Sequence, residues 1–251
     1  MSRWTTLTLE EAGAICTVTL SRPEHGNRIN VQMVRELEEM CDYLDEESPS
    51  SVVVFRGAGG QFTEGIEMSD FSVSRPPDIH GFNKWERSIA AIERLKKVTV
   101  AVIEGRCHGA GVQIALACDF RIASREAVLV TDEVKQGFLP GMATFRIAKY
   151  VGMAAARHIV LAGRPLGADE ARELRLINRV CEGENLKIEI ERAAMEFMPV
   201  NGKVVALARR LLNESYSNTH EDFLGNFLAA QQVAITSEPF IRILQAALRE
   251  P

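Results

Sequence analysis

The stretch EGRCHGAGVQIALACDF, residues 104–120, places two glycines at the start of a predicted helix. Gly109 and Gly111 flank Ala110, directly before the helical run Val112–Ala117. Glycine is roughly 1 kcal/mol less favourable than alanine inside a helix. Two glycines at the start of this helix therefore indicate that the main chain itself has a role here. A helix N-terminus offers N–H groups without intrahelical partners, which favour an anion or a developing oxyanion. We therefore interpret this turn as a place where a ligand carbonyl approaches the main chain.

A second glycine-rich stretch, GAGGQFTEGIEMSDF, occupies residues 57–71 and follows the apolar strand Ser51–Phe55. Within it, Gly65 precedes a predicted helical turn. Two such loops, each following a parallel strand, can each aim one N–H group at a single oxygen atom. The two stretches together predict an oxyanion hole built from main chain.

The rest of the chain alternates predicted strands and helices. The predicted strands are Trp4–Leu9 and Ala14–Leu20, which form a hairpin around residues 10–13, then Ser51–Phe55, Val98–Ile103, Phe120–Ala123 and Val128–Val130. The predicted helices are Val31–Leu44, then 144–151, 153–162, 168–174, 184–197, 203–214, 219–235 and 238–248. This order predicts an α/β fold of stacked β-α units rather than a sandwich, with the last three helices as a separate tail. Phe71–Asn83, which contains Pro76-Pro77, is predicted to be a surface loop.

Composition narrows the function classes. The chain has 251 residues, a formal net charge of -5 and a pI near 5.7. Nucleic acids and acidic membranes are bound by clustered Lys and Arg, so neither is an expected partner. No leader pattern and no long apolar segment is present, which predicts a cytoplasmic protein. Five cysteines without a C-x-x-C pair favour reduced thiols over a disulfide or zinc framework, and no metal site is predicted.

Glu133 is the side chain most suited to proton transfer. It follows the apolar strand AVLV and precedes the turn QGFLPG, where a carboxylate can be partly buried. Burial raises a carboxyl pKa toward the working pH of a general acid or base. Asp132, Glu64 and Glu67 are weaker candidates, and a solvated acid at a strand end remains the alternative for each of them.

Two other chemistries match parts of the same segments: dinucleotide binding and catalysis by a cysteine thiolate. Gly109-x-Gly111 after a strand, with Asp132 further on, resembles a dinucleotide motif, but position 114 is Ile where a third glycine belongs. Cys107-His108 could supply a thiolate activated by an imidazole. Adjacent residues of an extended segment point in opposite directions, which weakens that pair.

Five segments carry a resemblance to a known family. They are TVTLSRPEHGN, SVVVFRGAGGQFTEGIEMSDF, VTVAVIEGRCHGAGVQIALACDFRIAS, EVKQGFLPGM and VLAGRPLGADEARELRLINRV. Their order and spacing resemble the enoyl-CoA hydratase/isomerase (crotonase) superfamily. The resemblance implies a ββα-spiral core over residues 1–195 and a C-terminal helical oligomerisation region over 196–251. It also implies a trimer or hexamer and, as substrate, an acyl thioester of coenzyme A or a carrier protein, with no redox or metal cofactor.

The same resemblance assigns roles to individual residues. It places the oxyanion hole on the N–H groups of Ile66 and Ala110, and the catalytic acid or base on Glu133. Gln113 stands where hydratases of the family have a second glutamate. The implied coenzyme A and thioester contacts are Arg22, His25, Arg28, Gly65, Met68, Gly109 and Gly111, the two last clearing space for the thioester carbonyl.

Gln113 is the main departure from the family pattern. An amide cannot shuttle a proton at neutral pH, so ordinary two-glutamate hydration is in doubt. Enoyl-CoA isomerases manage with one glutamate, and carboxymethylproline synthases look similar in pairing glutamine with a lone glutamate. The segments NKWERSIAAIERL and PGMATFRIAKYVG, which contains Arg146, are similar to the helper crotonases of dihydroxyphenylacetate biosynthesis. Hydration or dehydration, isomerisation, decarboxylation or another carbon–carbon bond reaction, and an accessory role beside a partner crotonase therefore all stay open. The last resemblance implies a biosynthetic pathway.

Overall fold

Two mixed sheets, one with mostly parallel strands and one with a single parallel pair, form the framework of the computed structural model, which describes residues 3–198 and 201–248. The strands are β1 (Leu7–Ala12), β2 (Ile15–Leu20), β3 (Val52–Gly57), β4 (Val98–Ile103), β5 (Arg106–His108), β6 (Phe120–Ser124), β7 (Val128–Val130), β8 (Leu166–Gly167) and β9 (Arg179–Cys181). The larger sheet has the order β1-β2-β3-β4-β6-β9, and the smaller has the order β5-β7-β8.

The large sheet is covered on both faces. Only β1 and β2 are antiparallel; β2, β3, β4, β6 and β9 run parallel. Alternate residues of β3 enter different clusters, because successive side chains of a strand point to opposite faces. Val53 and Phe55 join the main core, whereas Val52 and Val54 join a second cluster on the other face. The predicted strands of this sheet are confirmed, although the hairpin turns at Gly13, so β1 extends through Ala12.

The predicted helices occur in the predicted order, and the structure adds a helix over Ile79–Arg94 that was not predicted from the sequence. Their bounds are α1 (Val31–Glu46), α2 (Ile79–Arg94), α3 (Ala110–Ala117), α4 (Ala143–Ala162), α5 (Ala168–Glu173), α6 (Leu186–Glu196), α7 (Gly202–Glu214), α8 (His220–Ile235) and α9 (Glu238–Ala247). The predicted break between residues 151 and 153 is a kink in α4, where Gly152 has φ 76 and ψ 164.

The prediction of a surface loop over Phe71–Asn83 is wrong for its second half. Helix α2 begins at Ile79, and the side chain of Asp78 caps it by accepting a hydrogen bond of 2.7 Å from the N–H of Gly81. The prolines at 76 and 77 end the preceding loop rather than interrupt a longer one. Aspartate is one of the preferred N-cap residues, and the neighbouring prolines obscured this signal.

Helix α7 is fastened to the core by Arg209. Its guanidinium donates to the carbonyl of Leu95 and lies 2.7 Å from a carboxylate oxygen of Asp119. Helices α8 and α9 present large apolar side chains to the surface. They include Leu224, Phe227, Leu228, Ile241, Ile243 and Leu244. None of the helices in the described part of the chain is long and apolar enough to span a membrane.

The N-terminal segment is held by the carboxylate of Glu36 on α1. This side chain accepts hydrogen bonds from the backbone N–H groups of Thr5, Thr6 and Leu7 and from both threonine hydroxyls. Burial alone would raise the pKa of Glu36, but these donors stabilise the anion more strongly and lower the pKa to about 2.

Replacing Glu36 by Gln is expected to lower the free energy of unfolding at pH 7 by about 3 kcal/mol, by proton linkage. A depressed carboxyl pKa stabilises the fold above the unfolded-state pKa. The deficit of the variant should therefore shrink as the pH falls from about 4.5 to about 2. Urea unfolding at a series of pH values measures the difference in the free energy of unfolding between the variant and the wild type. The matched control is Glu39→Gln, on an exposed position of the same helix. A deficit that is constant with pH would contradict the linkage.

Candidate active site

The first backbone donor lies at the start of α3. Gly109 has φ 51 and ψ -103, and its own N–H donates to the carbonyl of Val130 over 2.8 Å. Ala110 is the first helical residue, and its N–H group has no acceptor among residues 3–198 and 201–248. Since the first N–H groups of a helix lack intrahelical partners, this amide is free to bind an oxygen atom.

The second donor lies in the loop after β3. Ile29 donates its N–H to the carbonyl of Gly65 over 2.8 Å, and Glu67 donates back to the carbonyl of Ile29. These bonds flank Ile66 and hold its peptide group in place. Its N–H likewise has no acceptor within the described ranges. Gly65 has φ 91, and an added Cβ atom would lie 3.1 Å from Nδ1 of His108, so only glycine brings this loop so close.

Both donors line one cavity of about 230 Å³. The residues around it come from the Gly65 loop, from the start of α3 and from the turn after β7. They are Arg28, Glu64, Gly65, Ile66, Met68, Arg106, His108, Gly109, Ala110, Glu133, Gln136 and Phe138. The pairing of β5 with β7 explains why the start of α3 lies next to the turn after β7. Parallel strands bring Gly109 and Thr131 to the same edge of the small sheet.

Glu133 is buried at this edge, with 5% of its surface exposed. It begins a 3₁₀ turn, Glu133–Gln136, and its Oε2 atom is buried without a hydrogen-bond partner in the described residues. Burial raises the pKa of Glu133, the charge of His108 opposes that rise, and the charge of Asp132 adds to it. A raised pKa brings a carboxyl group closer to the range in which it exchanges protons with a substrate, which suits Glu133 to proton transfer.

The structure gives the two glycines a role within the protein itself. A Cβ atom on Gly109 would lie 2.5 Å from Oε1 of Glu133, and one on Gly111 would lie 2.4 Å from the side chain of Thr63. Gly109 therefore makes room for the protein's own carboxylate, and Gly111 lets α3 pack closely on the neighbouring loop. That they also clear space for a thioester carbonyl stays a prediction.

Substituting Gly109 by Ala is expected to displace the carboxylate of Glu133 and lower kcat on the order of 100-fold, because a shift of about 1 Å has effects of that size. Steady-state kinetics measure it. The control is Gly13→Ala in the β1-β2 turn, where φ is 63 but no atom lies within 4 Å of the added Cβ. The control variant should be less stable than the wild type but should keep its kcat. Equal kcat losses in both variants would contradict the steric argument.

Gln113 does not line this cavity. Its Oε1 atom accepts a hydrogen bond of 3.0 Å from the guanidinium of Arg146, which also contacts carboxylates of Glu86 and Glu93. Arginine only donates, so this bond fixes the amide with Oε1 toward Arg146. The position where hydratases of the family have a second glutamate is thus occupied by an amide that a buried cation holds.

The residues suggested for coenzyme A and the thioester divide into two groups. Arg28, Gly65, Met68 and Gly109 line the cavity, and Arg28 pairs with Glu64 over 2.8 Å. The remaining three, Arg22, His25 and Gly111, lie outside the cavity lining. Arg22 is turned inward, where it donates to the carbonyl of Arg28 over 2.5 Å.

The alternative nucleophile Cys107 is excluded by its burial. Its thiol has no exposed surface, and burial raises its pKa, so a thiolate is disfavoured. Its neighbour His108 points the other way, as the extended segment predicted. Sequence reasoning missed the partner of His108: Nε2 lies 2.6 Å from Oδ1 of Asp132, a contact made by pairing β5 with β7.

Comparison with known proteins identifies the family of this chain. A family model described as enoyl-CoA hydratase/isomerase matches residues 10–235. The chain belongs to this family. The predictions of a crotonase-type α/β fold with a helical C-terminal region, and of an enzyme of the enoyl-CoA hydratase/isomerase family, are thereby confirmed.

Relatives of the enoyl-CoA hydratase/isomerase family are similar over most of their length. An enoyl-CoA-hydratase of Amycolatopsis orientalis is 31% identical over 210 residues, covering 82% of this chain and 90% of the relative. A short-chain-enoyl-CoA hydratase of Clostridium acetobutylicum is 28% identical over 208 residues, covering 82% and 80%. A crystal structure of a putative enoyl-CoA hydratase from Thermobifida fusca in complex with acetoacetyl-CoA is 26% identical, with a TM-score of 0.82 over 92% and 94% of the chains.

Proposed function

We propose that this protein binds an acyl thioester, stabilises the enolate form of its carbonyl through Ile66 and Ala110, and moves one proton with Glu133. One observation carries the proposal. Two N–H groups without acceptors in residues 3–198 and 201–248, and a buried carboxylate with an unpartnered oxygen, line the same cavity. This is the combination that proton transfer next to a carbonyl requires.

The two donors supply the electrostatic part. A thioester carbonyl gains negative charge as a proton leaves its α-carbon, and preorganised N–H groups stabilise that charge without reorganising. The backbone hydrogen bonds made by Gly65 and Gly109 hold the two N–H donors in place, so these main-chain donors are preorganised to bind the oxygen. Removing one such donor typically costs about 3 kcal/mol, or two orders of magnitude in rate.

Glu133 supplies the proton transfer by itself. Gln113 cannot take up a proton, and its oxygen is already bound to Arg146. A single carboxylate suffices to carry a proton from one carbon of an enolate to another, which is isomerisation. It also supports addition of water, because the same carboxylate can take a proton from water and return one to the α-carbon of the enolate.

Coenzyme A is the proposed carrier of the acyl group. The relatives named above are enoyl-CoA hydratases, and the Thermobifida fusca neighbour is described in complex with acetoacetyl-CoA. The cationic side chain of Arg28 at the cavity offers charge for the phosphates of coenzyme A. A second cavity of about 640 Å³ also touches Ile66, and its apolar lining by Phe71, Phe82 and Trp85 suits an acyl chain. A carrier-protein arm presents the same pantetheine group.

The oligomeric state, the cellular location and the type of pathway are proposed from the resemblance and from the exposed apolar residues. The exposed apolar residues of α8 and α9 suit a homotrimer or hexamer built through residues 196–251, as the resemblance implies. A cytoplasmic location and a biosynthetic role fit the same resemblance.

An accessory role is the second candidate, and the bond between Arg146 and Gln113 favours it. The position of the second glutamate is occupied by an amide tied into an ion-pair cluster with Glu86 and Glu93. In that case the fold would serve mainly to bind a partner crotonase. A decarboxylase or carbon–carbon bond enzyme of the same fold would use the oxyanion hole but would need no second acid.

Incubation with crotonyl, 3-enoyl, 3-hydroxyacyl and malonyl thioesters of coenzyme A in deuterated buffer tests the proposal. We expect mass spectrometry to detect gain or loss of water, or deuterium at the α- or γ-carbon. Loss of carbon dioxide from the malonyl thioester, with no deuterium incorporated into the other thioesters, would favour decarboxylation. No change in any thioester, with activation of a partner crotonase, would contradict the proposal and support the accessory role.

A further inference from the structure

His108 connects the three loops that form the cavity. Its Nδ1 atom lies 3.1 Å from the carbonyl oxygen of Glu64, and its Nε2 atom lies 2.6 Å from Oδ1 of Asp132. The residue itself directly precedes Gly109. One imidazole ring therefore joins the loop that carries the Ile66 donor, the turn that carries the Ala110 donor and the turn that carries Glu133.

Both ring nitrogens of His108 face hydrogen-bond acceptors. The carbonyl oxygen of Glu64 can only accept, so the contact at Nδ1 is a hydrogen bond when that nitrogen carries the proton. Burial raises the pKa of Asp132, but the contact with His108 outweighs burial and the pKa is lowered; the carboxylate also accepts a hydrogen bond of 2.8 Å from Gln136. An ionised carboxylate only accepts as well, so the geometry suits a ring that donates from both nitrogens.

We propose that His108 and Asp132 form a positioning pair, which sets the spacing of Ile66, Ala110 and Glu133 and balances the charge around the Glu133 carboxylate. The inference rests on the proposed function, since it assigns a task to residues beside that same site. Neither partner is placed to react with substrate: each acts through the groups that do.

The pair is well sheltered. The side chains of His108 and Asp132 are 17% and 28% exposed, so water competes only in part for their hydrogen bond. An ion pair with charge-assisted hydrogen bonds is stronger and more directional than a neutral one. A Cβ atom added to Gly65 would lie 3.1 Å from Nδ1 of His108, so the loop that carries the Ile66 donor lies directly against the ring.

The electrostatic balance is visible at Glu133. The charge of His108 lowers the pKa of Glu133, and the charge of Asp132 raises it. The other charged groups that line the cavity are Arg28, Glu64 and Arg106, and the first two neutralise each other in a salt bridge of 2.8 Å. Removing one member of the pair therefore unbalances the charge in a direction that depends on which member is removed.

Two substitutions separate positioning from simple structural support. Asp132→Asn keeps an acceptor for Nε2 but removes the negative charge, so the pKa of Glu133 should fall. His108→Gln removes the positive charge, so the pKa of Glu133 should rise. Carbon-13 NMR of the Glu133 carboxyl, assigned by its loss in Glu133→Gln, measures both shifts in the ligand-free protein. Nitrogen-15 NMR of the wild type should find both ring nitrogens of His108 protonated.

Kinetics supply the second readout. We expect the acidic limb of the pH–rate profile to move down in Asp132→Asn and up in His108→Gln. Because the spacing of reacting groups is disturbed, kcat should fall on the order of 10- to 100-fold in His108→Gln, with KM changed by less than about threefold. His158→Gln on the exposed side of α4 and Asp169→Asn in a surface ion pair are the matched controls, and neither should change kcat.

The outcomes are distinguishable. Shifts of opposite sign support the pair, whereas unchanged midpoints, shifts of the same sign, or a neutral His108 in the wild type would overturn it. The NMR titration needs no turnover. If the wild-type protein converts no thioester, the proposed function fails, and the titration still decides whether the pair exists.

Discussion

Replacing Glu133 by Gln is expected to lower kcat about 10²- to 10⁴-fold, because loss of a positioned acid or base has an effect of this size. Binding of a coenzyme A thioester should be unchanged, since the two amide donors and the cavity shape remain. Steady-state kinetics and isothermal titration calorimetry measure the two quantities. A variant with full activity would contradict the role of Glu133.

The stability of this variant gives an independent check with a defined sign. Oε2 of Glu133 is buried without a partner in the described residues, so ionisation is costly in the folded protein. Burial raises the pKa of Glu133, and the resulting instability grows as the pH rises above the ordinary glutamate pKa. Glu133→Gln should therefore unfold at higher denaturant than the wild type at pH 7 and at similar denaturant in acid. Glu221→Gln, on exposed α8, is the control and should be neutral at both.

Removing the Ala110 amide is expected to cost about 10²- to 10³-fold in kcat, the usual loss for one oxyanion donor. Ala110→Pro does this with little change of fold, because proline is accommodated at the first position of a helix and lacks an N–H group. Ala110 occupies that position in α3. The proline ring leaves Glu133 ionisable, so the pH midpoint of the remaining activity should not move.

The matched control for this substitution is His220→Pro. His220 is the first residue of α8, and the preceding Thr219 has extended backbone angles that proline favours. The control should keep wild-type kcat. If Ala110→Pro retained wild-type kcat while remaining folded by circular dichroism, the Ala110 amide would have no part in the reaction.

The parts of the site that depend on local signals were predictable. The glycines around Ala110 and before Ile66, and the burial expected of Glu133, are properties of short segments with recognisable turn residues. The large sheet was predictable for the same reason, because strands such as Val98–Ile103 are continuous apolar runs.

The parts that depend on distant pairing were not predictable. Strands β5, β7 and β8 have three, three and two residues, too short for a periodic pattern to reveal the small sheet. The contact between His108 and Asp132 exists only because β5 and β7 pair in parallel, with His108 opposite Val130. The bond from Arg146 to Gln113 likewise requires α4 to pack on α3. Each contact joins residues that no short segment contains.

Isotope-edited infrared spectroscopy of a bound, carbonyl-labelled acyl-CoA measures the central claim most directly, which is that two amides polarise one thioester carbonyl. The account predicts that the labelled carbonyl band moves to lower frequency on binding the wild-type protein, and that Ala110→Pro reverses a large part of this shift. A bound carbonyl that absorbs at its frequency in water, or a shift that Ala110→Pro leaves intact, would contradict it.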